Sequence, residues 1–400
     1  MIFLSYWFWV FAALFFAFYW FVRLPIVRMY LLLAACIAFQ LHFAGPAGVF
    51  PVLVLGVITY FCGLFGGRTA TAVGIAASAL ALIFYKYFVF LIESGIGLAL
   101  PELGATLAVA SRTWIPESAP LGISFFVFEF VHYLFEIRRG QAAIRSPASF
   151  TLFALFWPSL VAGPIKRYQQ FIPSLGSGLE RVTPADVTVG TLRVACGLLK
   201  KFAADYLGQM IDYWQGQFAN LSLLLRWALF IAIALRILFD FSGYSDMAIG
   251  FARLMGIRLP ENFRWPYLAT SPVEFWRRWH ISLSTWLRDY VYIPLGGGRR
   301  GTVRRVLNGM IAFVLCGLWH GAAWNFALWG MYHGVGLVIS VAIERAARRI
   351  PAVEQSAVIR RVGLFVGWTT TTMFVMIGWL IFFYPVSKGL EMARLLFSLS

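Results

Sequence analysis

The sequence predicts an all-α polytopic membrane protein, and three observations carry that reading. Its 400 residues are 60% hydrophobic and 12% charged, with a mean hydropathy of +0.77. An ordinary soluble domain is about half apolar and a quarter charged. The apolar residues fall in runs of roughly 20, the length a helix needs to cross a bilayer core. The basic residues, which set the net charge of +16, lie in short clusters between those runs, as in cytoplasmic loops. That distribution names a lipid bilayer as partner and speaks against nucleic acid.

Taken in order, candidate spans lie at residues 2–22, 27–43, 48–65 and 70–92. The first lacks a basic leader and a small-residue cleavage site, so it reads as a retained span rather than a signal peptide. Arg23, Arg28 and Arg68 put the first and third loops inside and the N-terminus outside. Residues 93–118 carry Glu93, Glu102 and Glu117 against Arg112 and read as an outer loop. The run 121–137 ends at Arg138, Arg139 and Arg145, back inside. FTLFALFWPSLVAGPIKRY (150–168) is broken by Pro158, Gly163 and Pro164, so it reads as re-entrant or kinked, a backbone that must be buried in protein. Further spans fall near 187–204, 222–240, 303–319, 322–343 and 362–384. Their count puts the C-terminus outside, and one missed or re-entrant segment reverses that, so its side stays open. The chain, 1–400, reads as a single integral-membrane domain without fixed-period repeats.

Residues 271–298 predict an amphipathic helix. Ser271, Pro272 and Glu274 form a capping box with proline at the first helical position. Phe275, Trp279, Leu283, Trp286 and Tyr290 share one arc, His280 lies at its edge, and the helix must end before Gly296 to Gly298. GGGRRG (296–301) matches neither phosphate-binding fingerprint and reads equally as a cytoplasmic turn.

His320 stands in a run without charge from Ile311 to Tyr332, and an ionisable group there is a candidate functional site. It could equally be polar glue between helices. Gly317, Gly321, Ala322 and Ala323 around it allow either close helix approach or room for a substrate. Cys316, one turn earlier, reads as a packing residue because a thiol in apolar surroundings is inert. His132 has Glu129 and Glu136 at helical spacing and reads as part of a packed polar stripe. His333 reads as interfacial and His42 has no assigned role. Cys36, Cys62, Cys196 and Cys316 show neither disulfide nor metal spacing.

Six stretches together resemble the membrane-bound O-acyltransferase family on its bacterial polysaccharide-modifying branch. They are PLGISFF (120–126), LVAGPIKRY (160–168), GLLKKFAADYLG (197–208), FDFSGYSDMAIGFARLMGIRLPENF (239–263), SPVEFWRRWHISLSTWLRDYVYIPLGGGRRG (271–301) and GLWHGAAWNFALWGMYHG (317–334). The resemblance implies about eleven spans with re-entrant and amphipathic helices around a central tunnel. It implies that His320 is the catalytic histidine and His280 the second signature residue. Animal relatives carry asparagine at the latter, which points to positioning there. Arg277, Arg278, Asn262, Trp319 and Trp324 are substrate-binding candidates, Arg277 and Arg278 from charge alone, as are Arg299 and Arg300 as holders of the donor's phosphates. The implied donor is acetyl-CoA or a carrier-protein thioester, with no bound cofactor or metal. The implied partners are an extracytoplasmic acyltransferase and a surface polysaccharide, at a bacterial inner membrane. FEFVHYLFE (128–136) and IGWLIFFYPVS (377–387) depart from the branch's usual wording, so alginate is not singled out. D-alanyl transfer towards a teichoic acid and non-enzymatic transport are the competing readings.

Overall fold

The computed structural model describes residues 2–111, 113, 115–116, 119–347 and 356–398; Arg112 and Glu117 lie outside these. Among the described residues there is helix and no strand. The helices are α1 (Tyr6–Phe21), α2 (Pro25–Phe65), α3 (Gly67–Ala99), α4 (Pro101–Ser111), α5 (Ile123–Arg138), α6 (Pro147–Leu155), α7 (Tyr168–Glu180), α8 (Pro184–Trp214), α9 (Leu223–Leu254), α10 (Pro272–Arg278), α11 (Ile281–Leu287), α12 (Gly301–His320), α13 (Trp324–Ala347), α14 (Ala357–Phe383) and α15 (Val386–Leu395). Among the described residues five of them, α2, α3, α12, α13 and α14, are long and apolar enough to cross a membrane, and a pair bent by 117°, Tyr168–Glu180 with Pro184–Asn220, passes the same test as either a broken span or a re-entrant loop.

Two of the expected spans, 27–43 and 48–65, are the halves of α2. The helix departs from helical geometry at Gly45, φ 66°, just before Pro46. At 1.5 Å per residue its 41 residues rise about 60 Å, twice a bilayer core. The expected outer loop at 93–118 is instead largely helical, in the end of α3 and in α4. Glu93 and Glu102 are therefore helix residues.

The chain divides into two compact units, residues 1–198 with 244–260 and residues 199–243 with 261–400. The first is built on aromatic rings. Trp157, fully buried, meets Phe8 at 5.6 Å, Phe39 at 6.0 Å and Phe251 at 5.3 Å between centroids. The broken stretch 156–167 is non-helical and almost wholly buried, as the re-entrant reading requires. Its anchor is Lys166, 2.6 Å from Glu129 of α5 and 1% exposed. The ammonium also lies 5.4 Å and 5.6 Å from the ring centroids of Phe153 and Phe171. Glu129 therefore pairs with Lys166, and Glu136 pairs with Arg139. His132 accepts the Tyr168 backbone N–H at 3.2 Å, so its polar stripe is structural. His42 stacks on Trp7 at 3.8 Å.

In the second unit α12 and α13 form a tight antiparallel hairpin. A Cβ at Gly317 would meet the Phe326 carbonyl, and one at Gly330 would meet the Phe313 carbonyl. The small residues near His320 thus serve helix approach, and at Gly321 the space belongs to the Phe326 ring. Helix α14 closes on α13 through Tyr332 Oη donating to the Phe374 carbonyl at 2.8 Å and Asn325 Nδ2 to the Phe382 carbonyl at 3.2 Å. The glycine-rich turn before α12 is tied down by Asn308 Nδ2, which donates to the Leu295 and Gly297 carbonyls. It is a turn, and Arg299 and Arg300 project from it exposed.

The capping box forms as the sequence expects. Ser271 Oγ accepts the Glu274 N–H at 3.1 Å, and Glu274 Oε2 accepts from Thr270 N at 2.7 Å and Thr270 Oγ1 at 2.9 Å. Partial burial pushes the Glu274 carboxyl upward, but these bonds and the nearby Arg278 outweigh it and hold the group below its usual range. Its stabilisation is therefore present above the ordinary glutamate value and is lost as pH falls through the lowered one. Ser271→Ala is expected to cost about 1 kcal/mol, read as a lower thermal midpoint in detergent. An unchanged midpoint would show that the box contributes nothing.

Candidate functional site

The helix expected to run from Ser271 to a point before Gly296 is broken, and the break carries a candidate residue. Helix α10 ends at Arg278, His280 adopts left-handed backbone angles (φ 42°, ψ 54°), and α11 restarts at Ile281. A bulky residue holds such angles only where its surroundings over-determine them. They do so through the segment 262–264. The Asn262 carbonyl accepts the Ile281 N–H at 3.0 Å, and Arg264 N–H donates to the Arg278 carbonyl at 2.9 Å. The predicted arc survives: Phe275, Trp279, Leu283, Trp286 and Tyr290 are all buried. His280 is 1% exposed. Burial first, then the proximity of His320, hold its imidazole well below the usual histidine range and hence neutral.

His320 is the last residue of α12 and is partly exposed. Its ring lies 5.4 Å from Trp329 and 5.0 Å from Phe382, edge to face in both cases. Trp319 stands between the two histidines, 5.8 Å from the His280 ring and 4.8 Å from the His320 ring. The fold thus gathers His280, Trp319 and His320, which are up to 40 residues apart in sequence, into one aromatic cluster.

Beside this cluster lies a cavity of about 620 Å³, and neither histidine nor Trp319 is on its wall. Ile281, next to His280, and Cys316, one turn before His320, are on its wall, with Trp276, Phe313 and Leu337. Arg277, Arg288, Arg305 and Arg345 line it as well. Arg288 pairs with Asp289 at 2.7 Å, whereas Arg277, Arg305 and Arg345 form no ion pair among the described residues. An apolar bore with unpaired guanidinium groups suits a ligand with an apolar arm and a phosphate end. A smaller cavity of about 150 Å³ in the first unit is lined almost entirely by apolar groups such as Val52, Phe130 and Phe150 and carries no such chemistry.

The other candidates are placed as follows. Arg277 lines the cavity, while Arg278 bonds Glu274 at 2.5 Å and is not on the cavity wall. Asn262 is fully buried with its side-chain oxygen occupied by donors from the 280–282 turn. Trp324 opens α13 and is 55% exposed. His333, expected at the interface, is fully buried, and its Nδ1 accepts the Trp276 indole N–H at 3.3 Å. It thereby braces a cavity wall. Arg288, Arg305 and Arg345 escaped the sequence reading because they belong to three separate elements. The four cysteines are free thiols.

The model of MBOAT, the membrane-bound O-acyltransferase family, matches residues 105–387. The chain is similar to a probable alginate O-acetylase of Azotobacter vinelandii, at 37% identity over 337 residues, 82% of this chain and 64% of the relative. It is similar to a peptidoglycan O-acetyltransferase of Helicobacter pylori, at 32% identity over 301 residues, 68% of this chain and 55% of the relative. It is similar to a teichoic acid D-alanyltransferase of Streptococcus thermophilus, at 31% identity over 291 residues, 66% of this chain and 68% of the relative. The chain spans about 64% of the length of the alginate O-acetylase relatives from Azotobacter vinelandii and Pseudomonas putida. A match over most of its length, with these identities, makes the chain a member of the membrane-bound O-acyltransferase family.

Proposed function

We propose that the protein takes an acetyl group from a cytoplasmic thioester, acetyl-CoA or a carrier-protein thioester, and passes it across a bacterial inner membrane for O-acylation of an extracytoplasmic polysaccharide. A separate extracytoplasmic acyltransferase completes the transfer to the sugar. The observation that carries the reading is the convergence of His280 and His320 beside an arginine-lined cavity whose wall includes residues next to both.

In this mechanism the acceptor hydroxyl gives its proton to the neutral imidazole of His320 as its oxygen attacks the thioester carbonyl. The tetrahedral oxyanion collapses, the C–S bond breaks, and the leaving thiolate takes the proton back from His320. The products are an ester and a free thiol, and the histidine is regenerated. His280 touches the donor beside the thioester. Arg277, Arg305 and Arg345 hold the donor's phosphates, and Trp276, Phe313 and Leu337 wall its arm. Holding both reactants in a dry site supplies a large share of the acceleration.

The test is release of CoA from acetyl-CoA by purified full-length protein in nanodiscs, supplied with an acceptor. Release that requires His320 supports the reading; release equal in His320→Ala excludes it, as does transport without thioester cleavage. Arg277→Gln with Arg305→Gln is expected to raise KM for acetyl-CoA about a hundredfold or more, since each charge-assisted bond contributes roughly 1.5–3 kcal/mol, with little change in kcat. An unchanged KM would remove the arginines from the donor site.

D-alanyl transfer is the second reading, favoured by the teichoic acid D-alanyltransferase relatives. Neighbouring genes for a D-alanine ligase and its carrier protein would select it over acetyl transfer.

A further inference from the structure

The contacts of Asn262 determine which nitrogen of His280 carries a proton. Asn262 is 0% exposed. Its Oδ1 receives the Ser282 backbone N–H at 3.2 Å and the Ser282 hydroxyl at 2.8 Å, and it lies 3.1 Å from His280 Nδ1. A backbone N–H can only donate, so the side-chain atom facing it must be the oxygen and not the amide nitrogen. That oxygen can only accept, so Nδ1 of His280 must carry the hydrogen. The Asn262 carbonyl holds the adjoining Ile281 N–H at 3.0 Å, so one residue fixes both the left-handed turn and the ring it presents. The other ring nitrogen, Nε2, is buried and has no hydrogen-bond partner. Phe241 and Trp319 meet the ring edge to face at 4.6 Å and 5.8 Å. A buried nitrogen left unpaired beside a reaction site is a position for a substrate group.

We propose that Asn262 is a positioning residue that locks His280 as the Nδ1–H tautomer, so that Nε2 meets the substrate as a hydrogen-bond acceptor and never as a donor. The group it takes is an N–H or O–H of the donor arm or of the acceptor. It follows that His280 does not polarise the thioester carbonyl or stabilise the oxyanion, since either task needs a donated hydrogen. The catalytic consequence rests on the acyl-transfer reading; the tautomer itself does not.

The decisive experiment is solid-state NMR on full-length protein carrying ¹⁵N-labelled histidine, in bilayers at neutral pH. The His280 signals are those lost in His280→Asn. A protonated Nδ1 with an unprotonated Nε2 is the expected result, and a protonated Nε2 with a bare Nδ1 overturns the proposal whatever reaction the protein catalyses. Kinetics give a second arm. Asn262→Leu removes the acceptor at similar size and is expected to lower kcat about 10²-fold, the scale of a misplaced reacting group. In a His280→Ala background the same change should add nothing; a full additional loss would show that Asn262 acts elsewhere. Asn262→Asp keeps the accepting oxygen and adds a charge that favours imidazolium. It should therefore keep the Nδ1–H signal and introduce a new acidic limb in the pH profile. An unaltered profile would contradict the contact.

Discussion

His320→Ala is expected to lower acyl transfer by roughly 10² to 10⁴-fold, the usual contribution of a positioned proton acceptor, while leaving the protein folded. The expectation of intact folding comes from its location. His320 ends α12 and is partly exposed, whereas the hairpin is held by the glycine contacts at Gly317 and Gly330. Removing an imidazole from a helix end disturbs neither. Acetyl-CoA turnover together with a thermal midpoint in detergent checks both halves. Lost activity with an unchanged midpoint is the predicted pairing; a collapsed midpoint would reassign the residue to packing.

Lys166→Met is expected to be among the most destabilising single changes in the chain. It leaves the Glu129 carboxyl buried without its cation, and breaking a buried pair from one side costs about 3–5 kcal/mol. The Lys166 side chain is 1% exposed and that of Glu129 is 5% exposed, so water cannot stand in for the missing partner. The double variant Glu129→Leu/Lys166→Met should recover most of the loss, because two apolar groups leave no charge to solvate. Thermal unfolding of the three variants in one detergent measures this. A single variant within about 0.5 kcal/mol of the parent, the range of ordinary surface changes, would mean that the pair does not hold the 156–167 stretch.

Much of the architecture was readable from local chemistry. Spans follow from runs of apolar residues, and the start of α10 follows from Ser271, Pro272 and Glu274, because caps are built from residues three apart. The buried, non-helical path at 156–167 follows from Pro158, Gly163 and Pro164. Features that depend on partners distant in sequence were not readable. The break at His280 is imposed by Asn262, 18 residues away, and the periodicity of 271–290 contains no trace of it. Glu129 has His132 nearby in sequence but finds Lys166, 37 residues on. The unpaired arginines gather only once α10, α12 and α13 are packed. The glycines beside His320 fit two opposite readings until the Phe326 carbonyl and ring are seen to occupy the space.

The central claim is that an acyl group passes from a thioester to a hydroxyl at His320. Mass spectrometry of surface polysaccharides from parent, deletion and His320→Ala strains, with the variant protein shown to be present in the membrane, tests it most directly. The account predicts that one ester-linked acyl mass, that of acetyl, disappears in both the deletion and the His320→Ala strain. Retention of that ester in the His320→Ala strain at the parent's level would contradict it.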